Sequence, residues 1–126
     1  MKIVAPAVKV DPAPRYARML ASLGNESRLR IVRLLLSAHP QGLIVGDIQS
    51  ELGIAASTLS HHLERLKREG VVSVRREGTF LWCAADAAGL EELLGFLFSE
   101  CCSRSRVVSA SAVVQVARNG RKGSQP

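Results

Sequence analysis

Two short helical patterns separated by a tight turn constrain this chain more than any other feature of its 126 residues. From about Val45 to Leu52, Ile48 and Leu52 stand four apart on one side of a helix, and Gly53 closes it. Ala55 to Ser57 form a turn. The next helix runs from about Ser57 to Glu69, places Leu59, Leu63 and Leu66 on one face and stops at Gly70. Helices this short are not stable alone in water, so each must bury its apolar face against the rest of the fold. Two of them joined by a tight turn, with polar residues opening the second, make the helix-turn-helix pattern.

The flanking segments supply the packing surface. Residues 1–13 carry Pro6 and Pro12 and no clear period, and read as an irregular lead-in. From Pro14, the positions of Met19, Leu20 and Leu23 fit a short helix ended by Gly24. Asn25 then stands where a cap belongs, ahead of a helix with Leu29, Ile31, Val32, Leu34, Leu35 and Leu36 on a broad apolar face. Pro40, Gln41 and Gly42 break the chain. After Gly70 the period changes: Val71, Val72 and Val74 are β-branched, and Thr79, Phe80, Leu81 and Trp82 resume after Arg75, Arg76, Glu77 and Gly78. That is a β-hairpin with a charged tip at Glu77 and Gly78. Asp86 is placed to cap a last helix, along which Leu90, Leu93, Leu94, Leu97 and Phe98 recur at helical spacing. The stripe carries no charge and needs a partner surface, which a second copy of the chain would provide.

The expected fold is therefore mainly α with a β-hairpin wing, a winged helix-turn-helix domain over residues 14–102. Beyond it, residues 103–126 hold Arg104, Arg106, Arg118, Arg121 and Lys122 with no acid, and read as a basic, flexible tail. The formal charge of +6 points to an anionic partner, double-stranded DNA in this context. No apolar run approaches the roughly 20 residues of a membrane span, and the first residues are too weak a match for a secretory signal. A cytoplasmic protein is expected. No Gly-rich phosphate loop or evident pair of catalytic carboxylates points to an enzyme.

With its leucines turned to the core, the second helix of the pair leaves Ser57, Thr58, Ser60, His61 and Arg65 for the outer faces. Short hydroxyl side chains at a helix start can approach base edges or phosphates at little entropic cost. His61 and His62 diverge by about 100°, so they cannot share one role; a DNA contact is expected from at least one of them. In the hairpin, Arg75 and Arg76 can reach neighbouring phosphates or the minor groove.

Three stretches in this order, Leu23 to Ile31, Ser57 to Gly70 and Gly70-Val71-Val72 with the Arg76-Glu77-Gly78 wing, give a chain that resembles the ArsR family of metal-responsive repressors. The resemblance covers about residues 15–102. It implies a homodimer built from the first and last helices, an inverted-repeat operator, and repression relieved by an inducer. Two metal sites common in the family are missing: Leu43 to Ile48 contains no cysteine pair, and the last helix contains no histidine.

Cys83, Cys101 and Cys102 remain, an odd number that does not make a disulfide framework. Cys83 beside Trp82, and Cys101 nearly in phase with the apolar stripe, each also fit core positions. The adjacent pair after the last helix is similar to that of family variants that sense trivalent arsenic, whose softness suits sulfur ligands. The resemblance thus implies an inducer among arsenite, methylarsenite and antimonite, bound by Cys101 and Cys102, with Cys83 the third available thiol. Three converging thiols would suit arsenite; two would suit methylarsenite, whose methyl group fills the third corner. No cofactor is expected for folding or DNA binding. A thiol-redox repressor and an inducer-free DNA-binding module are the alternatives.

Overall fold

Capping chemistry divides the chain where the sequence suggests. In the computed structural model, which describes residues 10–99, Asp11 Oδ1 accepts a hydrogen bond from the Ala13 amide at 2.9 Å, opening helix α1 (Ala13–Leu23). Asn25 Oδ1 accepts from the Arg28 amide at 3.1 Å and caps α2 (Glu26–Ser37). A two-residue strand, β1 (Leu43–Ile44), leads directly into α3 (Val45–Leu52). Gly53, at φ 63°, ends α3 in the left-handed conformation that favours glycine. Helix α4 (Ala56–Arg68) follows, then β2 (Val72–Glu77) and β3 (Phe80–Ala85). Asp86 Oδ1 accepts from the Gly89 amide at 2.9 Å at the start of α5 (Ala87–Ser99).

The core gathers one face of each early helix. Met19 of α1, Ile31 and Leu35 of α2, Ile48 of α3 and Leu59 and Leu66 of α4 are all fully buried. Each contributes about 2 kcal/mol of apolar burial. The three strands form one antiparallel sheet in the order β1-β3-β2, so β3 is central. Leu43 lies opposite Cys83 and Ile44 opposite Trp82, while β2 pairs with β3 from Val72–Ala85 to Glu77–Phe80.

The winged helix-turn-helix architecture is as expected, with local differences. The sequence gives no sign of β1; two residues are too few to show a period. Glu77 still pairs in β2, which moves the hairpin tip to Gly78 and Thr79. Helix α4 begins at Ala56, so Ser57 and Thr58 sit inside its first turn. Helix α1 takes in Ala13, the last residue of the expected lead-in. The remaining lead-in up to residue 9, the pair Cys101-Cys102 and the basic tail lie outside the described residues.

Two compact units are distinguished, one reaching Leu90 and the other starting at Glu91. In the second, Leu94 and Leu97 on α5 are 54% and 47% exposed. No described helix is long and apolar enough to cross a membrane.

Gly42 makes β1 possible. Its φ is 85°, and a Cβ there would lie 2.0 Å from the Cys83 carbonyl oxygen. The Gly42→Ala variant should therefore lose about 2–4 kcal/mol of stability, read as a lower urea midpoint with an unchanged slope.

Candidate nucleic-acid interface

Helix α4 sorts its side chains by burial. Leu59, Leu63 and Leu66 face the core, and Ser57, Thr58, Ser60, His61 and Arg65 are exposed. The residue before the helix is Ala55, whose side chain cannot accept a hydrogen bond, so no side chain caps the first turn. Amide groups at such an end suit a phosphate oxygen. Arg65, Lys67 and Arg68 crowd the last turn, where cations are favoured by the helix dipole and extend the positive surface.

His62 differs from its neighbour. It is half-buried, and its Nδ1 stands 3.5 Å from Nη1 of Arg28 on α2. The Arg28 guanidinium is itself anchored, with Nε donating to the Ser22 carbonyl at the end of α1 at 2.6 Å. Burial, the Arg28 charge and His61 hold the His62 pKa below the ordinary 6.5. The ring is thus neutral near pH 7. Burial and Arg65 lower the Arg28 pKa, though a guanidinium stays charged at any relevant pH.

In the wing, two adjacent arginines are placed differently, as alternation along a strand requires. Arg75 acts as a strut: its Nε donates to Glu77 Oε1 at 3.0 Å and its Nη1 to the Gln41 carbonyl at 2.9 Å. Its guanidinium also lies 5.2 Å from the centre of the Trp82 ring, its cross-strand partner. Arg76 is exposed and has no ion-pair partner among the described residues. Sequence reasoning placed both arginines at the wing but could not separate them, because the Gln41 contact spans 34 positions. It also passed over Arg28, Lys67 and Arg68. The signal for Arg28 was available: a cation three residues after a cap, at the edge of an apolar helix face.

Cys83 is fully buried on the central strand, and burial pushes its thiol pKa up. The described residues contain no group of three or more His, Cys, Asp or Glu side chains able to hold a metal ion. The structure therefore gives Cys83 a core setting and does not describe its relation to Cys101 and Cys102.

Residues 23–75 match the model of a helix-turn-helix domain family. The transcriptional activator HlyU of Vibrio cholerae is 30% identical over 88 residues, 70% of this chain and 79% of that protein. Its solved structure superposes with a TM-score of 0.59 at 28% identity, covering 74% of this chain and 98% of HlyU. A homodimeric winged helix-turn-helix DNA-binding domain from Mycobacterium bovis, described as a possible ArsR-family regulator, gives 0.59 at 26% identity, covering 85% and 94%. The chain belongs to the ArsR family. This ArsR-family protein is a DNA-binding transcription regulator and not an enzyme. A further relative is the putative arsenical resistance operon repressor ArsR2 of Halobacterium salinarum, 32% identical over 73 residues, 58% of this chain and 60% of that one.

The burial of Cys83 has a direct chemical consequence, because the thiolate is the reactive form. In a Cys101→Ser/Cys102→Ser variant at pH 8, a disulfide reagent should find no rapidly reacting thiol in the folded protein and one after unfolding in urea. Fast labelling of the folded variant would show that the strand opens readily.

Proposed function

We propose that this protein is a homodimeric repressor that sets one α4 into the major groove of each half of an inverted-repeat operator and is released by a trivalent arsenical. The observation that carries the DNA reading is the outer face of α4, where Ser57, Thr58, Ser60, His61 and Arg65 are exposed together beyond a buried leucine row. On this reading the hydroxyls and His61 meet base edges and phosphates, while His62 stands at the edge of the contact. Arg65 and Arg76 supply phosphate contacts and Arg75 shapes the wing. Leu94 and Leu97, exposed on α5, offer an apolar surface for a second copy. Two α4 helices related by a dimer axis would stand about 34–36 Å apart, one turn of DNA.

The inducer reading rests on Cys101-Cys102 and is supported by the likeness to the putative arsenical resistance operon repressor ArsR2 of Halobacterium salinarum. The core setting of Cys83 favours a two-thiol site. Methylarsenite then fits better than arsenite, since replacing its two hydroxyls with the sulfurs of Cys101 and Cys102 releases two waters and leaves the methyl group in place. A coupling of about 1–3 kcal/mol between inducer and DNA would weaken operator binding by roughly 5–150-fold.

Fluorescence anisotropy on a duplex selected by the protein from a random-sequence pool tests both halves. Arg76→Ala, which removes one phosphate contact from each protomer, should lower the slope of log affinity against log salt by about two. Methylarsenite should release the duplex more readily than arsenite, antimonite or zinc. That release should vanish in Cys101→Ser or Cys102→Ser and persist in Cys83→Ala. Release by diamide alone would replace the arsenical with thiol oxidation, and indifference of all variants to every agent would leave an inducer-free DNA-binding module.

The dimer is tested separately. Introducing charge with Leu94→Glu/Leu97→Glu should convert the sedimenting species to a monomer and weaken duplex binding at least tenfold, because one half-site contact is lost.

A further inference from the structure

We propose that Arg28 is a positioning residue for DNA reading: it fixes His62 in the tautomer protonated on Nε2, so that α4 offers the duplex a neutral hydrogen-bond donor. The inference rests on the reading above that α4 docks on DNA. Arg28 is firmly held. Its own amide is bound by the Asn25 side chain at 3.1 Å, and its Nε by the Ser22 carbonyl at 2.6 Å. Ser22 is buried, and its hydroxyl donates to the Met19 carbonyl at 2.6 Å, which stiffens the end of α1. With backbone and Nε pinned, Nη1 is left facing His62 Nδ1 at 3.5 Å.

A guanidinium has donors and no acceptor. Facing it, Nδ1 must accept, and a neutral imidazole that accepts at Nδ1 carries its hydrogen on Nε2. Nε2 has no protein partner among the described residues. It is also the ring nitrogen farther from the helix backbone. The charged or titratable groups acting on this ring are Arg28 from α2 and His61 on α4, with Arg65 acting on Arg28; α1 contributes the Ser22 carbonyl through Arg28. All three side chains are basic, and among the described residues no carboxylate is a cause of either shift. Protonating His62 would set a second cation against Arg28, so the ring stays neutral where a free histidine would begin to charge. A neutral Nε2–H can donate to a guanine N7 or O6 or to a phosphate oxygen. It does so without the pH dependence of a charged histidine.

Nitrogen NMR of the free, full-length protein reads the tautomer and the titration without DNA. The expected spectrum has His62 protonated on Nε2, with a midpoint below 6.5. Arg28→Gln should raise that midpoint towards 6.5 and mix the tautomers. Arg28→Lys, which keeps the charge but not the fork, should hold the midpoint down. Duplex binding is then measured in a His61→Gln background, so that only position 62 varies. His62→Gln places an amide donor near Nε2 and should bind within about threefold of its parent, whereas His62→Asn and His62→Leu should lose about tenfold. These variants keep the test decisive if Arg28→Gln does not fold. A wild-type His62 protonated on Nδ1, an unmoved midpoint in Arg28→Gln, or equal binding by the Gln and Asn variants would overturn the proposal. A wild-type chain that selects no duplex would overturn the DNA reading instead, and the spectra of the free protein separate the two failures.

Discussion

Burial of Leu59, Leu63 and Leu66 is the constraint on which the rest of this structure depends. At helical spacing those three side chains fix the rotation of α4 about its own axis, with about 2 kcal/mol of apolar burial behind each. Once that rotation is set, the outward residues are not free to vary. Ser57, Thr58, Ser60, His61 and Arg65 must point to solvent, and His62 must fall at the boundary where α2 passes. The core therefore determines the reading surface. A substitution in the leucine row would alter DNA recognition without touching a nucleotide.

The wing depends on a second, smaller constraint. A two-stranded hairpin is marginal alone in water, and here β3 gains a second neighbour in β1. That pairing needs Gly42 against the Cys83 carbonyl, and Arg75 ties the hairpin to the Gln41 carbonyl just before it. Because β1 runs directly into α3, the wing and the first helix of the helix-turn-helix are joined through one short sheet. The two neighbouring arginines follow from this. One is consumed in holding the wing in place, and the other is left to carry its charge outward.

What could be read from the sequence was local in origin. The Asn25 and Asp86 caps, the bounds of α3 at Val45 and Leu52, and the buried leucines of α4 each follow from a few adjacent residues. What escaped was non-local. Strand β1 exists only because Gly42 admits the backbone of Cys83, 41 positions away in the chain, and a two-residue strand leaves no periodic trace. The Arg28–His62 pair and the Arg75–Gln41 strut each join residues 34 apart. Spacing along the chain indicated that His61 and His62 diverge; only the fold indicated which of them meets an arginine. Cys83 fitted both a core and a ligand role by sequence, and its place on the central strand is what gives it the core setting.

That place also bears on how a thiol sensor in this scaffold would operate. The backbone of Cys83 pairs with Leu43 on one side and Val74 on the other. Bringing it to a soft ion would mean exposing a buried side chain and disturbing the ladder that joins the wing to α3, a cost of several kcal/mol. An inducer needs only about 1–3 kcal/mol of coupling to change DNA occupancy appreciably. A site that had to break the sheet first would spend more than the signal it delivers. Sensing by the adjacent pair Cys101-Cys102, as proposed, would carry no such cost at Cys83 and would leave the block of β1, α3 and the wing intact. Regulation would then act on how two intact heads are spaced in the dimer, without unfolding either one.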